Sequence, residues 1–494
     1  MELGVTVSIL LAVCVSLVAY FFSWKEKLRS QKLPPGPPTL PLLGTVLHVS
    51  ATEMPQSLMK LSEKYGPVLT IYIGNEPLVV LIGYDCMKEA FLDHSDALSA
   101  RGNTFFSKAF FKDYGIILSN GERWQQLHKF SLTTLRNFGM GKRGIAERIQ
   151  EEAHFLVEEF KKNGENLFDP TELFRLAVSN VICCIVFGER FDYEDEKFTN
   201  LLFWLKEFLN ILSSVWSILL NVFPKISLYI PGPHQKAFRN FANIKAFISE
   251  SVDHHKKTID MNCPRDFIDS FLIKIEKDKD KPKTEFHFEN LFATVMDLFN
   301  AGIETTSSTL KSALLILLKH PDVARKMQEE IDNVIGQSRS PSMEDRIGMP
   351  YTNAVIHEIQ RFADVVPLGL PHTASKDTEF RGYNIPKGTT VSPLISSVLK
   401  DPKYFRHPEK FDPGHFLDED GHFRNNDAFT PFSIGKRSCF GEGLARMEIF
   451  IFLTTILQKL QLKTNKALED IEITPEPGKN GVIVRTYQLQ VEPR

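Results

Sequence analysis

The stretch Phe432-Ser433-Ile434-Gly435-Lys436-Arg437-Ser438-Cys439-Phe440-Gly441 constrains this chain more than any other. Gly435 and Gly441 let the backbone turn and approach a flat ligand without a Cβ in the way. Arg437 precedes Cys439 by two positions, and its guanidinium can reach a carboxylate through a charge-assisted hydrogen bond. Behind the cysteine, Leu444-Ala445-Arg446-Met447-Glu448-Ile449-Phe450 has helical composition. The sulfur therefore sits just ahead of a helix N-terminus, where the dipole and free N–H groups favour a thiolate. A haem iron held by sulfur needs such a loop, tight and nearly flat against the ring. Taken singly, Cys439 reads as a buried free cysteine in a turn. The matched positions at fixed offsets favour the metal-ligand reading, with Phe432, Gly435 and Arg437 as cofactor contacts.

Length and charge narrow the rest. The chain has 494 residues, 43% of them hydrophobic, including 39 Phe, which is enough for a large core and an oily pocket. A net charge of −3 supplies no bulk field for nucleic acid. The six cysteines show neither a disulfide framework nor zinc spacing, and no Asn-x-Ser/Thr sequon occurs, which fits a body in a reducing compartment. Residues 3–22 carry no charge and are long enough to span a bilayer, and Trp24 with Lys25, Lys27, Arg29 and Lys32 follows them. The basic flank on the C-terminal side predicts a cytosolic body and a lumenal Met1, and it disfavours a cleaved signal peptide. Pro34, Pro35, Pro37 and Pro38 predict a stiff spacer after this anchor. The expected organisation is an anchor over 1–24, a basic and proline-rich hinge over 25–40, and one catalytic body over 41–494.

Within the body, 68–82 reads as a hairpin around Gly74-Asn75. The chain is mostly helical from about 85 to 375, and strand signals return at 378–393 and 482–492. This predicts a mainly α (α+β) fold with a small β region. Residues 201–230 are unusually apolar but interrupted by Lys206, Glu207 and Pro224, so they read as paired amphipathic elements that line a pocket and dip into lipid.

The cysteine stretch resembles the cysteine loop of the cytochrome P-450 superfamily, and further motifs occur in that family's order. In the helical stretch 286–318, Ala301-Gly302-Ile303-Glu304-Thr305-Thr306 reads by itself as a kinked core helix. A mid-helix Thr305 can bond the Ala301 carbonyl and bend the helix, while Gly302 leaves a groove. The resemblance makes this the oxygen-activating notch, with Thr305 and Glu304 as proton-delivering residues. Asn300 brings a polar group beside it. Glu358 and Arg361 share a helix face. The resemblance buries them and ties them to Pro413-Gly414-His415-Phe416 as a structural lock, with His415 where many members carry Arg. Trp124 and His128, four apart, resemble a Trp-x-x-x-Arg propionate motif in which His128 gives up the fixed charge. Arg101 and His372 resemble two further propionate contacts. The implied pocket is lined by Asn300, Ala301, Val365, Val366 and Leu370, with Phe106, Phe110 and Val482 contributed by loops.

The implied cofactor is haem b. The chain contains no Gly-rich dinucleotide loop, so electrons must come from a partner. The resemblance implies NADPH-cytochrome P-450 reductase, with cytochrome b5 as a second donor, docking on a basic cluster of Arg123, Lys129, Arg136, Lys142 and Arg143. Leu135-Arg136-Asn137-Phe138-Gly139-Met140-Gly141 looks like the vertebrate microsomal branch. That implies an endoplasmic-reticulum monooxygenase of drugs, fatty acids or steroids, using O2 on lipophilic substrates and no nucleic acid. The alternatives are a haem-thiolate isomerase or dehydratase acting on lipid peroxides, and a non-enzymatic haem sensor.

Overall fold

The structure, a computed structural model, describes residues 15–16, 19, 32–50, 52–102, 104, 107–138, 143–212, 214–222, 229–474, 476–478, 481–483 and 485–494. The apolar run 3–22 lies almost wholly outside them, as does Phe106. Among the described residues no helix is long and apolar enough to cross a membrane.

The chain folds as two compact units that interleave in sequence. The first takes residues up to 102 together with 368–398 and 434–437. Here α1 (Met54–Tyr65) packs on a four-stranded sheet of order β1-β2-β6-β3. The hairpin forms as its residues predict: β1 (Val68–Ile73) pairs antiparallel with β2 (Glu76–Ile82), Ile73 opposite Glu76, and Gly74 turns at a φ of 63°. β3 (His372–Thr373) and β6 (Thr390–Leu394) complete the sheet, β6 running parallel to β2. β4 (Thr378–Phe380) and β5 (Tyr383–Ile385) form a separate hairpin. The proline spacer is not free of the body. Thr70 donates its N–H to the Pro35 carbonyl at 2.9 Å, and a Cβ on Gly36 would lie 1.8 Å from the Thr70 oxygen, so the run is docked on β1.

The second unit is helical. Its long elements are α2 (Gly121–Asn137), α3 (Arg143–Asn163), α4 (Thr171–Val186), α5 (Glu196–Leu212), α6 (His234–Thr258), α7 (Phe267–Asp278), α8 (Phe288–Lys319), α9 (Pro321–Val334), α10 (Pro350–Ala363) and α11 (Glu442–Lys459). α8 and α11 are apolar around most of their circumference and are buried accordingly, with α4 and α11 packed along α8. The segment 201–230 supplies the C-terminal part of α5, which runs unbroken through Lys206 and Glu207, and a short helix, Val215–Val222, while Pro224 lies outside the described residues. β7 (Leu460–Lys463) pairs with β10 (Gln490–Pro493), and β8 (Glu476–Gly478) with β9 (Gly481–Ile483).

Candidate active site

The first unit gathers three basic side chains. Arg101 donates from one terminal nitrogen to the carbonyls of Leu370 and Pro371, both at 2.9 Å. Arg437 donates from Nε to the Ser99 carbonyl at 3.3 Å. His372, on β3, stacks on Phe91 with ring centroids 4.2 Å apart. Burial pulls the Arg101 pKa down to about 10. Burial and the charge of Arg101 pull Arg437 to about 9. Burial followed by the Arg101 and Arg437 charges pushes His372 to about 2, so its ring is neutral, and Nδ1 is buried without a hydrogen-bond partner. Gly435 holds a φ of +84°, and a Cβ there would sit 2.4 Å from the Phe91 carbonyl oxygen, so this turn requires glycine.

The second unit carries the sulfur. Cys439 donates its N–H to the Phe432 carbonyl at 2.8 Å, which closes the loop. Its side chain is exposed, yet the protein crowded around it raises the thiol pKa. The backbone N–H groups of Gly441 and Glu442, at the start of α11, pull the value back. The sulfur therefore faces a helix N-terminus, the arrangement that stabilises a thiolate. Trp124 and His128 lie ring to ring on α2 with centroids 4.8 Å apart, and His128 meets Phe440, the residue after the cysteine, edge-on at 5.5 Å.

On α8, Thr305 Oγ1 donates to the Ala301 carbonyl at 2.6 Å, and Ala301 is exposed on a helix otherwise largely buried. Gly302 serves another purpose than expected. A Cβ on it would meet Ile182 Cδ1 of α4 at 2.9 Å, so the glycine admits the neighbouring helix and does not open the groove. Glu304 accepts from Arg175 Nε at 2.8 Å, and Arg175 also holds Glu172, which is paired in turn with Lys206. Asn300 Oδ1 is buried without a partner.

Glu358 and Arg361 on α10 are fully buried and bidentate, at 2.7 Å for both bonds. Arg361 also donates to the carbonyls of Leu399, Pro408 and Lys410, each at 2.9 Å. Glu358 accepts from the Asp412 N–H at 2.9 Å and from His415 Nδ1 at 3.1 Å. His415 Nε2 faces the Arg406 carbonyl at 2.6 Å. Both imidazole nitrogens face acceptors, an arrangement that favours the protonated ring. Burial alone would lower its pKa, but Glu358 and the Arg406 carbonyl outweigh burial and raise it.

Several expected pocket residues stand differently. Phe110 is buried in an aromatic cluster, 4.7 Å from Phe238 and 5.1 Å from Phe208 and Phe241. Val366 and Leu370 are exposed, while Val365 is partly buried. Val482 lies on β9, and its side chain is outside the description, as are Lys142 and the Arg143 side chain. Arg123 leaves the expected basic cluster: it is paired with Glu285 at 2.6 Å and lies over the Tyr114 ring.

Sequence reasoning passed over three buried ionisable side chains. Arg175 holds Glu304. Asp297, one turn before Ala301, accepts the N–H groups of Ile116 and Ile117 at 2.7 and 2.9 Å, and burial pushes its pKa up to about 7. Glu448 on α11 is pushed up to about 8 by burial and accepts a hydrogen bond from Thr306. Each sits in a largely apolar helical run, and that was the available signal.

Comparison with known proteins decides the family. The family model described as "Cytochrome P450" matches residues 34–493. The chain belongs to the cytochrome P450 family. Human cytochrome P450 2C8 is 52% identical over 94% of this chain and 95% of its own length. Mouse cytochrome P450 2A5 is 50% identical over 96% of both chains, and cytochrome P450 2G1 from Oryctolagus cuniculus 49% over 99% of both. The chain is a cytochrome P450 monooxygenase, and its cofactor is a haem with a thiolate ligand. The P450 activity uses O2, an organic substrate and a redox partner. The chain's chemistry fits such a cofactor. A carboxylate set against Arg101, Arg437 and His372 would meet one buried and one partly buried guanidinium and give Nδ1, once protonated, an acceptor. The N–H groups aimed at Cys439 suit an anionic sulfur.

Proposed function

We propose that this P450 inserts one oxygen atom of O2 into lipophilic substrates by hydroxylation, epoxidation or dealkylation, with Cys439 as the residue whose sulfur would hold the haem iron. The observation that carries this is the Cys439 side chain opposite the Gly441 and Glu442 N–H groups. Arg101, His372 and Arg437 hold haem carboxylates in this reading, Trp124 and His128 contribute from α2, and Phe432 and Gly435 shape the loop. When bound, the haem supplies the iron that activates oxygen. The chain supplies proton handling. Thr305 keeps a hydroxyl at the exposed Ala301 turn, and Glu304, partly exposed and held by Arg175, connects that hydroxyl to water. Glu358, Arg361 and His415 lock the segment preceding the cysteine loop.

The substrates are shape-selected oily molecules: drugs, steroids, or polyunsaturated fatty acids such as arachidonate. Electrons come from NADPH through cytochrome P-450 reductase, with cytochrome b5 as a second donor. Residues 1–24 anchor the protein in the endoplasmic-reticulum membrane, 25–40 form the hinge, and 41–494 form the cytosolic catalytic body.

A CO-difference spectrum, with NADPH consumption and product measured in the presence of reductase, tests the reading. A thiolate-type spectrum with reductase-dependent product is expected. Rearrangement of lipid peroxides without reductase would mean an isomerase or dehydratase, and haem binding with no turnover would mean a sensor. Retention of the thiolate-type spectrum by Cys439→Ala would remove Cys439 from the site.

A further inference from the structure

The geometry points to Arg446 as a positioning residue that braces the cysteine loop from outside. This rests on the reading of Cys439 as the residue that would hold the haem iron. Arg446 lies on the second turn of α11. Its Nε donates to Glu442 Oε1 at 2.9 Å, one turn back on the same helix. One terminal nitrogen faces His357 Nε2 of α10 at 3.0 Å. A guanidinium has only donors, so His357 Nε2 must be the acceptor and the ring proton sits on Nδ1. That proton goes to the Asn353 carbonyl, 2.7 Å away. The tautomer is fixed from both sides. The imidazole is wedged among Phe416, Phe423 and Phe429, with centroids 5.4, 4.6 and 4.9 Å away, which leaves it little freedom to turn. Asn353 is itself held, accepting from Arg346 Nε at 2.8 Å.

The guanidinium of Arg446 lies over the loop. Its central carbon stands 5.1 Å from the ring centroid of Phe432 and 5.7 Å from that of Phe429. Phe432 is also the residue whose carbonyl receives the Cys439 N–H. The next residue, Ser433, holds a φ of +61°, a conformation that a non-glycine residue keeps only when its surroundings impose it. A cation lying over one side of Phe432 therefore restrains the carbonyl that closes the loop. His357 and Glu442 set where that cation can stand. No other described arginine makes these contacts, and the Glu358–Arg361 lock acts on different backbone, between Leu399 and Asp412.

The test uses the full-length holoenzyme. The variants are R446A, R446K and H357F, together with the R446A/H357F double variant. Two quantities are read at a temperature where far-ultraviolet circular dichroism shows all of them folded: the rate at which the reduced CO complex loses its thiolate-type Soret band, and the haem midpoint potential. R446A is expected to lose the thiolate form about fivefold faster, the size of one partly exposed cation–π contact. R446K should recover only part of this, because an ammonium cannot stack and hydrogen-bond as a plane. H357F should act in the same direction as R446A, and the double variant should be no worse than R446A alone, because both remove one brace. A wild-type rate and potential in R446A, or full additivity in the double variant, would overturn the brace while leaving Cys439 in place. Absence of the thiolate-type band from the wild-type protein would overturn the Cys439 reading and the brace together. Should R446A fail to fold, R446Q supplies the same comparison with a neutral planar group.

Discussion

Two neighbouring positions on α8 separate what a side chain does for chemistry from what it does for packing. Thr305 is part of the open turn, its hydroxyl already bonded to the Ala301 carbonyl at 2.6 Å. Thr305→Ala should keep haem and substrate binding but divert reducing equivalents to peroxide and water, lowering product formed per NADPH by roughly tenfold or more. Unchanged coupling would remove Thr305 from proton delivery. Gly302 belongs to packing. Gly302→Ala presses a methyl against the flexible end of Ile182, and the helix-propensity gain of about 1 kcal/mol offsets much of the strain. The melting temperature and the coupling ratio should both stay near wild type, whereas a groove-forming glycine would show a changed coupling ratio. The Thr305–Ala301 bond could be read from the sequence, because its geometry is local to one helix turn. The partner of Gly302 could not, because Ile182 comes from another helix and only the packing of α4 against α8 brings it there.

At the level of elements, α10 and the segment behind it are joined by charge in a place where charge is costly. Glu358→Gln leaves Arg361 buried with half its partner and should cost about 3–5 kcal/mol in chemical denaturation of the holoenzyme. The same joint responds to pH. His415 has a folded pKa above its ordinary value of 6.5, so its contribution is complete below pH 6.5 and is lost as pH rises through the folded value. Glu448 follows the same sign: its carboxyl shifts from 4.5 to about 8, so folding favours the protonated form and stability declines as pH climbs from 4.5 through about 8. The melting temperature should therefore fall on the alkaline side. Glu448→Gln should flatten one part of that fall, worth on the order of a few kcal/mol, and His415→Arg the other. A melting temperature independent of pH above 6.5 in the wild type would contradict both assignments. The motif Glu358-x-x-Arg361 was visible in sequence as two like-facing residues, but the carbonyls it gathers carry no side-chain signature and appear only once the chain is folded. In the first-unit trio, Arg437 was legible from its place two residues before Cys439, whereas Arg101 and His372 were legible through resemblance alone, since they lie far apart along the chain.

For the whole molecule, the N-terminal run predicts tight membrane attachment. Full-length protein should stay in the pellet through an alkaline carbonate wash, and deletion of 1–24 should convert it to a form released by salt or detergent, since the apolar 201–230 region remains. Release of the full-length chain by carbonate alone would argue against a spanning helix. The buried Arg361 also bears on how the protein is made. Its last carbonyl partner, Lys410, leaves the ribosome 49 residues after it, and Cys439 later still. At translation speeds of about 5–20 residues per second, the guanidinium waits roughly 2–10 s in a nascent chain that cannot yet enclose it. Helices finished long before, α2 through α9, therefore have no complete seat for the cysteine loop until the chain has been made through Cys439. The stretch from Lys410 to Cys439 decides whether everything translated before it can hold a cofactor.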